Sequence, residues 1–170
     1  MTAQSDIPSR GCAAFHIASA LTPDDLAAVA TLFRAYAASL TVDLAYQNFE
    51  QELAGLPGSY APPLGVLLLA RGGDGIPLGC VALRAMSDAG CCEMKRLFVS
   101  PAARGSGLGR ALIAAISSEA RTLGYREIRL DSLPEMTEAI ALYRNMGFEA
   151  MPPYYETPII GTVFLRRACA

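Results

Sequence analysis

The stretch RLFVSPAARGSGLGRALI, Arg96 to Ile113, restricts this chain more than any other. An apolar run ends at Pro101. Gly105, Gly107 and Gly109 then follow at alternate positions between Arg104 and Arg110, and an amphipathic helical pattern begins. Strand, glycine loop and helix in that order build an anion site. First-turn N–H groups have no partner within a helix, and the helix N-terminus carries partial positive charge. Glycine lets the backbone curl and leaves no Cβ between amide and phosphate, while the two arginines can add charge-assisted contacts. The crossover helix also requires a further strand parallel to the first, and REIRLDS at 126–132 supplies it.

Three readings of the loop compete. A P-loop needs a lysine after its last glycine, and none follows here. The dinucleotide fingerprint G-x-G-x-x-G needs glycine where this chain has Arg110, although Asp131, ending the next strand, could serve as a ribose ligand. That alternative stays open, as does a glycine-rich turn that merely redirects the chain.

The remaining patterns predict one mixed α/β domain over 13–170 behind a loose tail at 1–12. A strand at 15–20 precedes a helix at 22–40. That helix opens on Thr22, Pro23, Asp24 and Asp25 and carries Leu26, Val29, Ala30, Phe33, Tyr36 and Ala37 on its buried stripe. A shorter helix follows at 44–56, then strands at 64–71 and 76–86 around the turn GGDG, and a strand at 91–100. After the helix at 107–123 and the strand at 126–132 come a helix at 135–148 and a last strand at 159–167. The order is β-α-α-β-β-β-α-β-α-β-β. Three antiparallel strands therefore lead into the parallel crossover, which weighs against a doubly wound dinucleotide domain.

A net charge of −2 across 170 residues gives no pull toward nucleic acid or an anionic membrane. No apolar run is long enough to span a bilayer, and the N-terminus lacks a secretory pattern, so a cytoplasmic location is expected. The five cysteines, Cys12, Cys80, Cys91, Cys92 and Cys169, lack metal-type spacing and read as reduced thiols. With His16, in an early strand-like segment, as the only histidine, a His-dependent nucleophilic triad would hang on one poorly placed residue and is set aside.

The segment RGSGLG, read as [QR]-x-x-G-x-[GA], resembles the pyrophosphate-binding motif of the GNAT superfamily of acetyl-coenzyme A-dependent N-acetyltransferases. The resemblance extends through EMKRLFVSPAARGSGLGRALI, ARTLGYREIRLDS and AIALYRNMGF, in the family's order and over roughly 64–167. It looks most like the small bacterial stand-alone enzymes. It implies a mixed, mostly antiparallel sheet of about seven strands flanked by four helices, with the fourth and fifth strands splaying at a β-bulge. It also implies acetyl-coenzyme A as cosubstrate, with no metal. The amides of Arg104, Gly105, Ser106, Gly107, Leu108, Gly109 and Arg110 would wrap the diphosphate. Main-chain groups of Leu97 and Val99 would pair with pantetheine, and the amide of Leu97 or Phe98 would polarise the thioester carbonyl. Tyr143 matches a tyrosine that acts as general acid toward the coenzyme sulfur. One departure stands out: Met136 occupies a position where many members carry a cofactor-contacting asparagine.

An amine attacks a thioester directly, so the enzyme needs no nucleophile of its own. It does need an acceptor for the amine's proton. Glu93 is the best-placed carboxylate: strict alternation would put it on the same strand face as Leu97 and Val99. The resemblance sets the acceptor pocket between the first helices and the loop before the last strand, where Asp43, Tyr46, Glu52, Tyr154 and Tyr155 could line it. Carboxylates and aromatic faces suit a small primary amine or an amino-acid-like acceptor. A module that senses acyl-coenzyme A without turning it over is the reading from a different class, and a homodimer is compatible with the apolar last strands.

Overall fold

The computed structural model describes residues 14–170, so the expected tail and Cys12 lie outside the described residues. Seven strands form one sheet in the order β1-β2-β3-β4-β5-β7-β6. They are β1 (Phe15–Ser19), β2 (Val66–Gly72), β3 (Pro77–Ala85), β4 (Cys91–Val99), β5 (Glu127–Ser132), β6 (Glu149–Ala150) and β7 (Val163–Ala168). The helices are α1 (Pro23–Ala38), α2 (Phe49–Ala54), α3 (Leu108–Thr122) and α4 (Thr137–Asn145). Element order matches the sequence expectation. Every strand pair is antiparallel except β4 with β5, as the crossover requires. No helix among the described residues is long and apolar enough to cross a membrane.

Two apolar layers hold the helices to opposite faces of the sheet. On one face Leu108, Leu112, Ile113 and Ile116 of α3 pack on Leu68, Val81, Leu83 and Met94, with Tyr143 of α4 alongside. On the other, Val29, Leu32 and Phe33 of α1 and Phe49 of α2 pack on Leu67, Leu69, Cys80 and Phe98. Alternation along β2 sends Leu67 and Leu69 to one layer and Leu68 to the other. This explains why central strands read as continuous apolar runs. The buried thiols of Cys80 and Cys92 are pushed well above the ordinary range by desolvation, which leaves them as unreactive packing groups.

The start of α1 is built as its sequence predicts. The Asp25 amide donates to Thr22 Oγ1 at 3.1 Å, and the Asp25 carboxylate accepts from the Thr22 amide at 3.3 Å, a reciprocal capping box. In Thr22→Ala the folded state is expected to lose about 1 kcal/mol, read as a lower midpoint in urea with an unchanged slope. The segment 44–56 departs from the expected single helix. Asn48 takes φ 56°, which splits it into a 3₁₀ turn at Leu44–Gln47 and the short α2. The last strand starts at Val163 rather than 159, because Gly161 at φ 82° turns the chain first.

Two irregularities in β4 shape the functional region. Pairing with β5 covers only Cys91–Glu93 against Glu127–Arg129, and beyond Glu93 the parallel strands part. On its other side β4 carries a β-bulge: Cys80 faces Phe98 but Ala82 faces Lys95, so Val81 spans both Arg96 and Leu97. Arg96 sits at φ 60°, the left-handed region that a non-glycine residue rarely occupies.

Candidate active site

The three glycines of the loop do different things. Gly105 and Gly107 have φ 76° and 84°, conformations open to glycine at little cost, and Gly107 caps α3 with no side-chain bond to its amides. Gly109 lies within the helix, where a Cβ would stand 3.3 Å from Leu142 Cδ2; it lets α3 approach α4. Together they end a cleft of about 710 Å³ that runs from Arg104, Gly105, Gly107, Leu108, Gly109 and Arg110 along Leu97, Phe98 and Val99 to α4. All the expected donor-site residues except Ser106 line it. The Ser106 hydroxyl instead donates to the Ala103 carbonyl at 2.6 Å, within the loop. Met136 lines the cleft as well.

Next to the cleft, where β4 and β5 separate, lies a small cavity of about 30 Å³, the throat. Leu97, Tyr36 and Met136 belong to both spaces. Tyr143 lines the throat, nearly buried, with its ring edge-on to Phe148 at 5.9 Å between centroids. No hydrogen bond to another described residue engages its hydroxyl. Desolvation, with smaller contributions from Tyr36 and Asp131, pushes the phenol well above its ordinary value, so it stays protonated. Lys95, Asp131 and Ser132 complete the polar wall.

Beyond the throat lies a pocket of about 560 Å³ lined by Tyr46, Arg84, Glu93, Lys95, Tyr154 and Tyr155 among others. Lys95 and Gln47 belong to both throat and pocket. Tyr154 donates to Glu93 Oε2 at 2.7 Å, Arg84 Nε donates to Glu93 Oε1 at 2.8 Å, and Tyr155 donates to Asp131 Oδ2 at 2.9 Å. Burial alone would raise the Glu93 carboxyl, but the charges of Lys95 and Arg84 and the Tyr154 hydrogen bond hold it below its ordinary value. Burial lowers Lys95, and the nearby carboxylates of Asp131 and Glu93 recover only part of that shift. Burial likewise raises the phenols of Tyr154 and Tyr155, assisted by Glu93 and Asp131.

The sequence expectation for Glu93 needs one correction. Glu93 does not share a strand face with Leu97 and Val99. The bulge turns Lys95 and Arg96 toward the same side, where both donate to Gln47 Oε1, at 3.2 and 2.8 Å. Alternation resumes one residue out of phase, so Leu97 and Val99 pack with the α3/α4 layer while Glu93 faces the pocket beyond the throat. Asp43 is also elsewhere: exposed, it accepts from the Ala45 amide at 2.9 Å and caps the 3₁₀ turn, outside the pocket lining. Glu52 accepts from Arg96 Nε at 2.8 Å and from the Tyr60 hydroxyl at 2.8 Å, which ties α2 to the bulge. Tyr46, Tyr154 and Tyr155 line the pocket beyond the throat.

Lys95, Arg96, Arg84 and Gln47 escaped the sequence reading, and Asp131 was considered only as a ribose ligand. A signal was present: EMKR puts three ionisable residues inside a strand with neighbours on both sides. Buried charges need partners, and so many in one central strand mark a polar interior.

The protein is an open mixed sheet with a glycine-loop cleft on one side of a strand gap and a polar pocket on the other. A family model described as the acetyltransferase (GNAT) family matches residues 20–148. An uncharacterized N-acetyltransferase of Schizosaccharomyces pombe is 40% identical over 150 residues, covering 88% of this chain and 92% of that protein. A GNAT-family acetyltransferase from Staphylococcus aureus shares the fold at a TM-score of 0.77 and 17% identity, covering 92% of this chain and 100% of that one. So does a GNAT superfamily phosphinothricin acetyltransferase from Sinorhizobium meliloti, solved in complex with AcCoA (TM-score 0.67, 19% identity, 91% and 88% covered). The chain belongs to the GNAT acetyltransferase family. It is accordingly a GNAT-type acetyltransferase, and the dinucleotide reading of the glycine loop falls away.

Proposed function

We propose that the protein transfers an acetyl group from acetyl-coenzyme A to the primary amine of a small molecule, by direct attack within a ternary complex. The observation that carries this reading is the row of three cavities, cleft, throat and pocket, each sharing lining residues with the next, with Tyr143 and Leu97 at the smallest of them. Acetyl-coenzyme A, when bound, supplies an activated acyl carbonyl. The amides from Arg104 to Arg110 hold its diphosphate, and the β4 main chain at Leu97 and Val99, on the side that β5 has left, holds its pantetheine arm. The Leu97 or Phe98 amide stabilises negative charge on the carbonyl oxygen. Tyr143 donates its proton to the departing thiolate.

On the acceptor side, Glu93 is ionised at neutral pH and attracts the incoming ammonium. It receives the amine's proton through the Tyr154 hydroxyl, which already donates to it. Its low basicity weakens this step, so Glu93→Gln is expected to lower kcat/KM by roughly tenfold while coenzyme A binding stays intact.

Thiol release from acetyl-coenzyme A, measured across a broad panel of amines, tests the whole reading. Amine-dependent release with a stoichiometric N-acetyl product supports it. Tight coenzyme binding with no amine-dependent release would replace it with the acyl-coenzyme A sensor.

A further inference from the structure

Arg84, Glu93 and Lys95 line the pocket beyond the throat, and their charges belong to a balanced set whose other members stand at the throat and along the neighbouring lobe. Three cations pair with three carboxylates: Arg84 Nη2 with Glu93 Oε1 at 2.6 Å, Lys95 Nζ with Asp131 Oδ1 at 3.8 Å, and Arg96 Nε with Glu52 Oε2 at 2.8 Å. Five of these side chains are at most 13% exposed, whereas Arg84 is 37% exposed and so stands at the mouth. Both of its engaged nitrogens, Nε and Nη2, meet the same Glu93 oxygen, and no hydrogen bond to a described residue engages Nη1. Arg84 also sits where a second lobe of about 310 Å³, running along α2, joins the pocket through Gln47, Asn48 and Ser59.

A neutral, buried set of ion pairs penalises any guest that brings net charge, because the surplus has no partner in a low-dielectric space. A polycation such as an aminoglycoside or polyamine brings several surplus charges. A molecule with one ammonium and one carboxylate brings none, and each of its charges finds a complement: Glu93 and the tyrosine faces toward the throat, the free edge of a guanidinium at the mouth. We infer that the acceptor is a zwitterionic primary amine, whose carboxylate is held by Arg84 while its amino group is delivered to the throat. This rests on the acetyl-transfer reading above and narrows its substrate class. Arg84 is then a specificity-determining residue that touches the acceptor away from the reacting atoms.

The test compares the common free amino acids with the matching decarboxylated amines, and with kanamycin as a polycation, by thiol release and product mass. At least one amino acid is expected to exceed its decarboxylated partner by about tenfold or more in kcat/KM, the equivalent of one charged hydrogen bond. Arg84→Gln should bring that ratio close to one, and Arg84→Lys should retain part of it. Because Arg84 also touches Glu93, the ratio between matched acceptors is the informative quantity; a shared loss of rate cancels from it. Equal or better turnover of the decarboxylated amines or kanamycin overturns the inference while leaving N-acetylation standing. An unchanged ratio in Arg84→Gln removes Arg84 from the carboxylate site. If coenzyme A binds but no acceptor of any kind is turned over, the acetyl-transfer reading fails and this inference fails with it.

Discussion

In Tyr143→Phe, kcat for amine acetylation is expected to fall on the order of 10²-fold, with coenzyme A affinity and thermal stability close to those of the parent. The stability expectation follows from packing. The ring lies against Phe148 in the α3/α4 layer, and the hydroxyl bonds to no other described residue, so its removal strands no buried partner. The rate expectation follows from chemistry. A thiolate leaving without a proton is a good enough nucleophile to return, and Tyr143 is the protonated group that shares the throat with Leu97. Because burial raises its pKa, the acid form persists through neutral and alkaline pH. The pH–rate profile should therefore rise with deprotonation of the amine and show no alkaline fall below pH of about 10. Steady-state kinetics with a calorimetric titration of coenzyme A checks both halves. A kcat unchanged in Tyr143→Phe would remove the acid role. Tyr154→Phe is the instructive contrast, since it deletes the donor to Glu93 and should perturb the acceptor side instead.

Much of the architecture was legible because local chemistry and global topology agree in this chain. Thr22, Pro23 and Asp25 announce α1, and GGDG announces the β2–β3 turn. The glycine loop between an apolar strand and a helix announces both the crossover and the cleft that the loop lines. What stayed hidden depends on a single backbone event. Nothing in EMKRLFV marks Arg96 as the residue that adopts φ 60°, because non-glycine residues seldom do. Without the bulge, period-two reasoning puts Glu93 beside Leu97. With it, the two point to opposite faces, and the small cavity lined by Leu97 lies where β4 and β5 part. The ion pairs were hidden for a related reason. Glu52 and Arg96, or Lys95 and Asp131, are distant in sequence and meet only once the bulge and the 3₁₀ turn before α2 are in place. Asp43 is the converse case: its carboxylate accepts from the Ala45 amide and caps the 3₁₀ turn, a local use that composition does not distinguish from a place in a pocket wall.

Gly107→Val should raise the dissociation constant for coenzyme A on the order of 10²-fold, and the reason can be separated from simple strain. Gly107 holds φ 84°, where a β-branched residue costs about 1–2 kcal/mol. A Cβ at that position meets no atom within 4 Å, so the variant has no clash that would prevent folding. Gly107 lines the cleft at the start of α3, where a phosphate oxygen needs to come within hydrogen-bond distance of the first amides, and a valine side chain there would compete for that approach. Gly75 provides a matched control. It has φ 82°, an added Cβ there also meets nothing within 4 Å, and it lies in the β2–β3 turn outside the cleft lining. Gly75→Val and Gly107→Val should therefore lose comparable stability, each lowering Tm by roughly 5 °C. Only Gly107→Val should weaken coenzyme A. Equal affinity in the two variants would mean that the loop redirects the chain without holding the diphosphate, and the donor site would have to be sought elsewhere along the cleft.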